Sequence, residues 1–268
     1  MPDLEETEIS RAIIDAYHQK LSDSLVSDVV VVGAGPSGMT AAIHLARERH
    51  RVILLEKRLS PGGGIWGGGM AMSEAIVQDD ALPWLDDLGV RHKPSRGGLH
   101  SADAVELAAA LCLKTVQSGT VLFNLLTVED VCIHQDRVTG VVVNRSMIAG
   151  ALPVDPIAFR TNAVIDATGH EAVVVEAVHK RGLLAHPAVA KPLGEGPMDA
   201  ASGEAFVVEN VKEVYPGLWI CGMSVCATLG GPRMGPIFGG MLLSGQRVAA
   251  LVSSALTEFA QKDRESRK

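Results

Sequence analysis

The sequence predicts an α/β fold: a central parallel sheet with an antiparallel β-meander inserted into it. Three observations carry this reading. Asp28–Val32 is a β-branched run that ends in glycine, Ser37–Arg49 has helix-forming composition, and Val52–Leu55 is a second short apolar run, so the three make a βαβ unit. Two later apolar runs, Ala163–Asp166 and Leu218–Cys221, again lead into glycine-bearing turns. Between these and the first unit, Val121–Leu125, Val128–His134 and Val138–Val143 alternate or run apolar between turn residues, the pattern of a small meander. With 268 residues, 47% hydrophobic and 21% charged, residues 1–268 read as a single large domain with a substantial core.

Each element can be justified in order. Ile9, Ile13, Ile14, Tyr17 and Leu21 recur at helical spacing, which predicts an amphipathic helix over about 7–24, suited to packing on another subunit. After the βαβ unit, Pro61–Met70 holds six glycines in ten residues, too many for a helix or strand, and reads as a loop with a task. Ser101 is expected to cap a helix running to about Gln117, with Asp103 in its first turn. The meander is expected over about 120–145, followed by the Ala163–Asp166 strand and its Ala167-Thr168-Gly169-His170 turn. Gly239–Leu256 is a closing helix, and Gln261–Lys268 a charged, frayed tail.

Composition removes several classes of function. No apolar run approaches the roughly 18 residues of a membrane span, and a formal net charge of -7 disfavours nucleic acid as a partner. Pro2–Glu8 is acidic and lacks the order of a signal peptide, so a cytoplasmic location is expected, with Cys112, Cys132, Cys221 and Cys226 as reduced thiols. No nucleophile elbow is present.

The 28 glycines exceed the average share of about 7%. Gly33-Ala34-Gly35-Pro36-Ser37-Gly38 leaves a predicted strand and opens a predicted helix, which is the context that makes this spacing a dinucleotide fingerprint. The first glycine permits the turn, the second admits a pyrophosphate, and the third allows close helix packing. Glu56, at the end of the second strand, can accept from ribose hydroxyls. The fold is thus Rossmann-like, of two-dinucleotide-binding type, and the ligand is NAD or FAD. Flavoenzymes of this type commonly end a late strand in Gly-Asp, whereas this chain has Cys221-Gly222-Met223, which weakens the flavin reading.

Other candidates lie at the expected ligand edge of the sheet. His170, and Asp155 in the rigid Pro153-Val154-Asp155-Pro156 stretch, can begin a site for Fe(II) or a similar cation. The plainer reading makes His170 a hydrogen-bonded core residue and Asp155 a turn acid. His179 and His186 compete as ligands but fall in a helical pattern. Arg233, among Gly230, Gly231, Pro232 and Gly235, can grip a carboxylate or form a structural ion pair.

Together these segments resemble the thiamine thiazole synthases, and more closely their short, sulfide-dependent ADP-thiazole synthase branch. The resemblance rests on the early helix, Gly33–Gly38, Glu56-Lys57, Pro61–Met70, Val154-Asp155-Pro156, Asp166–His170 and Arg233-Met234-Gly235-Pro236. It implies an enzyme that consumes NAD as a substrate, expels nicotinamide, and builds glycine and sulfur into an ADP-linked thiazole carboxylate. By resemblance Ser37, Glu56, Lys57, Gly64, Val128 and Met223 line the dinucleotide, and Arg233 clamps the glycine carboxylate. Asp155 and His170 are implied iron ligands, Asp155 coming from the neighbouring subunit of a homo-octamer. Bound iron would lower the pKa of a sulfide ligand.

One position departs from the family. Two residues before the aspartate, single-turnover members carry a cysteine that gives up its own sulfur, and sulfide-dependent members often carry histidine; here the residue is Pro153. Sulfur must then come from solution, and turnover is expected to be multiple. Glu171, where relatives often place aspartate, is a milder departure. The competing readings are an FAD-dependent oxidoreductase on the same fold and an inactive NAD-binding regulatory subunit.

Overall fold

The computed structural model describes residues 4–184 and 194–266. The first helix, α1 (Glu6–Ser24), sets Tyr17 edge-on to Phe123 with ring centroids 6.0 Å apart and leaves Ile9, Ile13 and Ile14 exposed. Four consecutive buried valines make β1 (Val29–Val32); burial on both faces is why this strand is continuously apolar rather than alternating. Next, α2 (Pro36–Arg47) opens on a proline, where the missing N–H costs nothing, and β2 (Val52–Leu55) returns parallel to β1.

A small antiparallel sheet that sequence periodicity did not reveal follows the glycine loop. It joins β3 (Glu74–Gln78), β4 (His92–Pro94) and β5 (Leu99–Asp103), with α3 (Leu82–Leu88) between the first two. This corrects the expected cap of α4 (Ala104–Gln117). Ser101 is a strand residue paired with Ile76, and Asp103 is the N-cap, accepting from the Glu106 amide at 2.8 Å.

The meander also needs a correction. Val121–Phe123 forms β6, which pairs parallel with β2 in the central sheet, so its apolar run is that of a buried strand. The meander proper is β7 (Leu126–His134), β8 (Arg137–Arg145) and β9 (Ile157–Arg160), and it extends past the expected end at about 145.

Next come β10 (Ala163–Asp166), α5 (Val173–Lys180), β11 (Gly196–Met198), α6 (Ala200–Glu209), β12 (Lys212–Tyr215), β13 (Leu218–Ile220), α7 (Met223–Leu229), β14 (Pro232–Arg233) and α8 (Gly239–Ser266). The central sheet has the order β12-β13-β10-β1-β2-β6, and only β12 is antiparallel to its neighbour. With β1 between β2 and β10, the carboxyl ends of the parallel strands share one edge, where ligands of open α/β sheets collect. Helix α8 packs along α2 and continues to Ser266, beyond the expected end at Leu256; the Arg137 guanidinium lies 5.2 Å from the Phe259 ring centre and ties this extension down. Among the described residues no helix is long and apolar enough to cross a membrane.

Candidate active site

The carboxyl edge of the sheet opens into a cavity of about 750 Å³. Its floor is the glycine turn after β1. Gly33 has φ +100°, and a Cβ there would strike the Ala167 carbonyl; a Cβ at Gly38 would strike the Gly33 carbonyl, which locks α2 onto β1. Gly35 is different. Its Cβ would meet no protein atom within 4 Å, and it lines the cavity, so the chain's own packing does not demand glycine at this position. The start of α2 beside it offers amide donors and a positive dipole to an anion.

Glu56 is buried at the end of β2 and oriented by the backbone. One carboxylate oxygen accepts from the Ala34 amide at 2.9 Å and the other from the Arg58 amide at 2.8 Å. Each oxygen keeps a free lone pair, so the acid faces the cavity fixed and still able to accept from a sugar hydroxyl. Next to it, Lys57 Nζ lies 2.6 Å from Glu171 Oε2, a bridge between the end of β2 and the turn after β10. Ser37, Gly64, Val128 and Met223 line the same cavity, whereas Gly38 lies under the turn as a packing residue.

His170 sits on a turn built by Asp166. That buried carboxylate accepts from the Thr168 amide and hydroxyl at 3.0 and 2.7 Å, from the Ser224 hydroxyl at 3.1 Å, and from the Val174 and Val175 amides at 2.9 and 3.0 Å. It satisfies two amides in the first turn of α5, while the Val173 amide donates to the Thr168 hydroxyl at 2.8 Å; Ala172, just before the helix, has φ 40°. His170 therefore projects from a braced turn into the cavity. Its Nδ1–H donates to Glu195 Oε1, and Glu195 is mostly buried behind the imidazole. The plainer expectation of a core histidine is not met, because more than half of the His170 side chain is exposed.

Arg233, in β14, also lines the cavity, and among the described residues it makes no ion pair, which leaves its guanidinium available to a carboxylate. Asp155 does not join the group within one chain. It is exposed between β8 and β9 and does not line the cavity. His179, in the last turn of α5, does not line it either, and His186 lies outside the described residues.

None of the four cysteines lines the cavity. Burial pushes the Cys221 thiol up to about 12 and the Cys226 thiol up to about 11, and it raises Cys112 and Cys132 as well, so all four stay protonated and weakly nucleophilic at neutral pH. Among the described residues no three metal-binding side chains converge. His170 supplies one imidazole at the cavity wall, and such a donor with oxygen ligands suits a divalent cation that keeps positions open for substrate.

Sequence reasoning overlooked two acids in this arrangement. Asp166 closes an apolar strand two residues before a threonine, a pattern in which a buried carboxylate collects the following amides. Glu195 stands in Gly194-Glu195-Gly196 and carries no local sign of its role.

Comparison with known proteins adds the family. The model of the Thi4 family matches residues 10–238. The thiamine thiazole synthase of Pyrococcus horikoshii is 47% identical over 247 residues, covering 92% of this chain and 96% of its own. That of Methanothermobacter thermautotrophicus is 46% identical over 255 residues, covering 94% and 99%. The crystal structure of Thermovibrio ammonificans THI4 superposes with a TM-score of 0.90 at 42% identity, covering 95% of this chain and 99% of that one. With the matched segment running from the first helix through the cavity to Arg233 and beyond, the chain belongs to the Thi4 family.

Proposed function

We propose that this chain is a thiamine thiazole synthase that converts NAD, glycine and sulfide into an ADP-linked thiazole carboxylate with release of nicotinamide. The observation that carries the reading is the contents of one cavity. A glycine turn at a helix start, a fixed carboxylate at Glu56, the His170 imidazole and the Arg233 guanidinium all face the same space, and no thiol does.

Each group has a task in that chemistry. The Gly33–Gly38 turn would hold the pyrophosphate, and Glu56 would accept from the adenosine ribose hydroxyls. Arg233 would orient the glycine carboxylate through paired hydrogen bonds, so that its amine meets the ketone carbon formed when the sugar isomerises after nicotinamide has left, condensing there with loss of water. The Pro61–Met70 loop, which contributes Gly63, Gly64, Gly68, Gly69 and Met70 to the lining, would limit water around the reacting sugar. His170, with Asp155 of a neighbouring subunit, would hold Fe(II), which supplies Lewis-acid polarisation and lowers the pKa of a sulfur ligand. Since Pro153 has no thiol, sulfur would enter from solution and each chain would turn over repeatedly.

Assembly follows from the same reading. Asp155 lies in a loop with exposed Met147, Leu152 and Val154, and α1 exposes Ile9, Ile13 and Ile14; covering these surfaces in a homo-octamer would bring Asp155 to a neighbour's cavity. The unpaired cysteines suit the reducing cytoplasm.

Anaerobic incubation with NAD, glycine, Fe(II) and sulfide, followed by mass spectrometry of the nucleotide fraction, tests the reaction. The expected outcome is an adenylated thiazole carboxylate together with free nicotinamide. A yellow protein that releases flavin on denaturation and leaves NAD intact would favour an FAD-dependent oxidoreductase instead. NAD binding without turnover would favour an inactive regulatory subunit.

A further inference from the structure

We infer that Glu195 is a positioning residue for His170, fixing which imidazole nitrogen faces the cavity. The inference rests on the proposed role of His170 as a metal ligand. His170 lines the cavity and Glu195 does not, so the carboxylate stands behind the ring rather than beside it. Its carboxylate accepts from Nδ1–H, which in a neutral imidazole leaves Nε2 as the nitrogen with a free lone pair.

The placement of Glu195 is built into the backbone on both sides. The Gly194 amide donates to the Ala227 carbonyl at 2.9 Å, and the Gly196 amide donates to the Gly231 carbonyl at 2.8 Å. These bonds clamp the residue to the end of α7 and to the approach to β14. Only 15% of its side chain is exposed, against 57% for His170. His170 is braced independently by the turn that Asp166 organises. Carboxylate and imidazole are therefore carried by two separately anchored segments, which restricts both rotation of the ring and exchange of its tautomer.

Such a carboxylate–histidine pair raises the basicity of the ligating nitrogen and typically changes metal affinity about 10–100-fold when broken. Arg233 stands two residues after Gly231, whose carbonyl anchors Gly196, so the same short sheet carries both the arginine and the segment that positions the histidine.

The test is anaerobic titration of the full-length protein with Co(II), read by its visible absorption, for wild type, Glu195→Ala, Glu195→Gln and His170→Ala. Circular dichroism and NAD binding would establish that each variant is folded. Glu195→Ala should weaken Co(II) binding roughly 10–100-fold. Glu195→Gln, whose amide oxygen still accepts from Nδ1–H, should recover most of the affinity with an unchanged absorption spectrum. Equal affinity in Glu195→Ala and wild type would overturn the inference. So would a Glu195→Gln variant as weak as Glu195→Ala with a shifted spectrum, because Glu195 would then be a ligand itself. Failure of the underlying metal reading looks different: the wild type would bind no Co(II), or bind it equally well in His170→Ala.

Discussion

At the residue scale, the glycine turn separates what the chain needs for folding from what it offers to a ligand. Gly38 meets the Gly33 carbonyl directly, while Gly35 has a negative φ and open space where a Cβ would be. Gly38→Ala should cost about 1–3 kcal/mol of stability through overpacking. Gly35→Ala should leave stability within about 0.5 kcal/mol while weakening NAD binding roughly tenfold, or about 1.4 kcal/mol. Denaturant unfolding and calorimetric titration of the two variants check the contrast; loss of stability in Gly35→Ala would assign that glycine to folding. Much at this scale was legible in the sequence. The glycine turn and the convergence of Glu56 and Arg233 on one cavity follow from spacing and neighbours, because each is placed by residues near it in the chain. Glu195 was not legible, since its meaning comes from His170 across a long stretch of sequence.

At the element scale, the start of α8 is held by a half-buried acid. Glu204 of α6 accepts from the Gly240 amide and from Gln78 Nε2 of β3, both at 2.6 Å, and so joins three elements. Its other oxygen and the Gln78 amide oxygen are both buried without a partner. Burial is the main cause that raises the Glu204 pKa above the ordinary carboxylate value, outweighing the two hydrogen bonds that lower it. A raised folded-state pKa means that this group favours folding below its unfolded value, and that the benefit is lost as pH rises through the folded value. Glu204→Gln supplies a donor among these acceptors and removes the charge. It should therefore raise stability at pH 8 by about 1 kcal/mol and lessen the loss of stability that accompanies ionisation of Glu204, as thermal unfolding compared at pH 5 and pH 8 would show. The elements misread from sequence were short ones. Val121–Phe123 is apolar enough for either a meander or a central strand, and only its pairing with β2 decides; Ser101 and Asp103 both suit a cap, and strand pairing takes Ser101. The long strand–helix–strand pattern had no such competitor.

At the scale of the whole molecule, one chain brings the glycine turn, Glu56, His170 and Arg233 to one cavity yet leaves Asp155 outside it. A site completed by a neighbour predicts complementation. Asp155→Ala and His170→Ala chains, each inactive alone, should regain part of the wild-type rate when they are mixed and reassembled, because some cavities then receive both native groups. Mixtures that stay inactive would place both residues in the same chain's site. The central claim concerns sulfur: no cysteine lines the cavity, burial keeps all four thiols protonated, and Pro153, which the family resemblance sets at the sulfur donor's place, has no thiol. The most direct test counts thiazole product per chain under anaerobic conditions with supplied sulfide and then weighs the intact protein. The expected result is product in excess of the number of chains and an unchanged protein mass. Product that stops at one equivalent per chain, with the protein lighter by one sulfur, would contradict it.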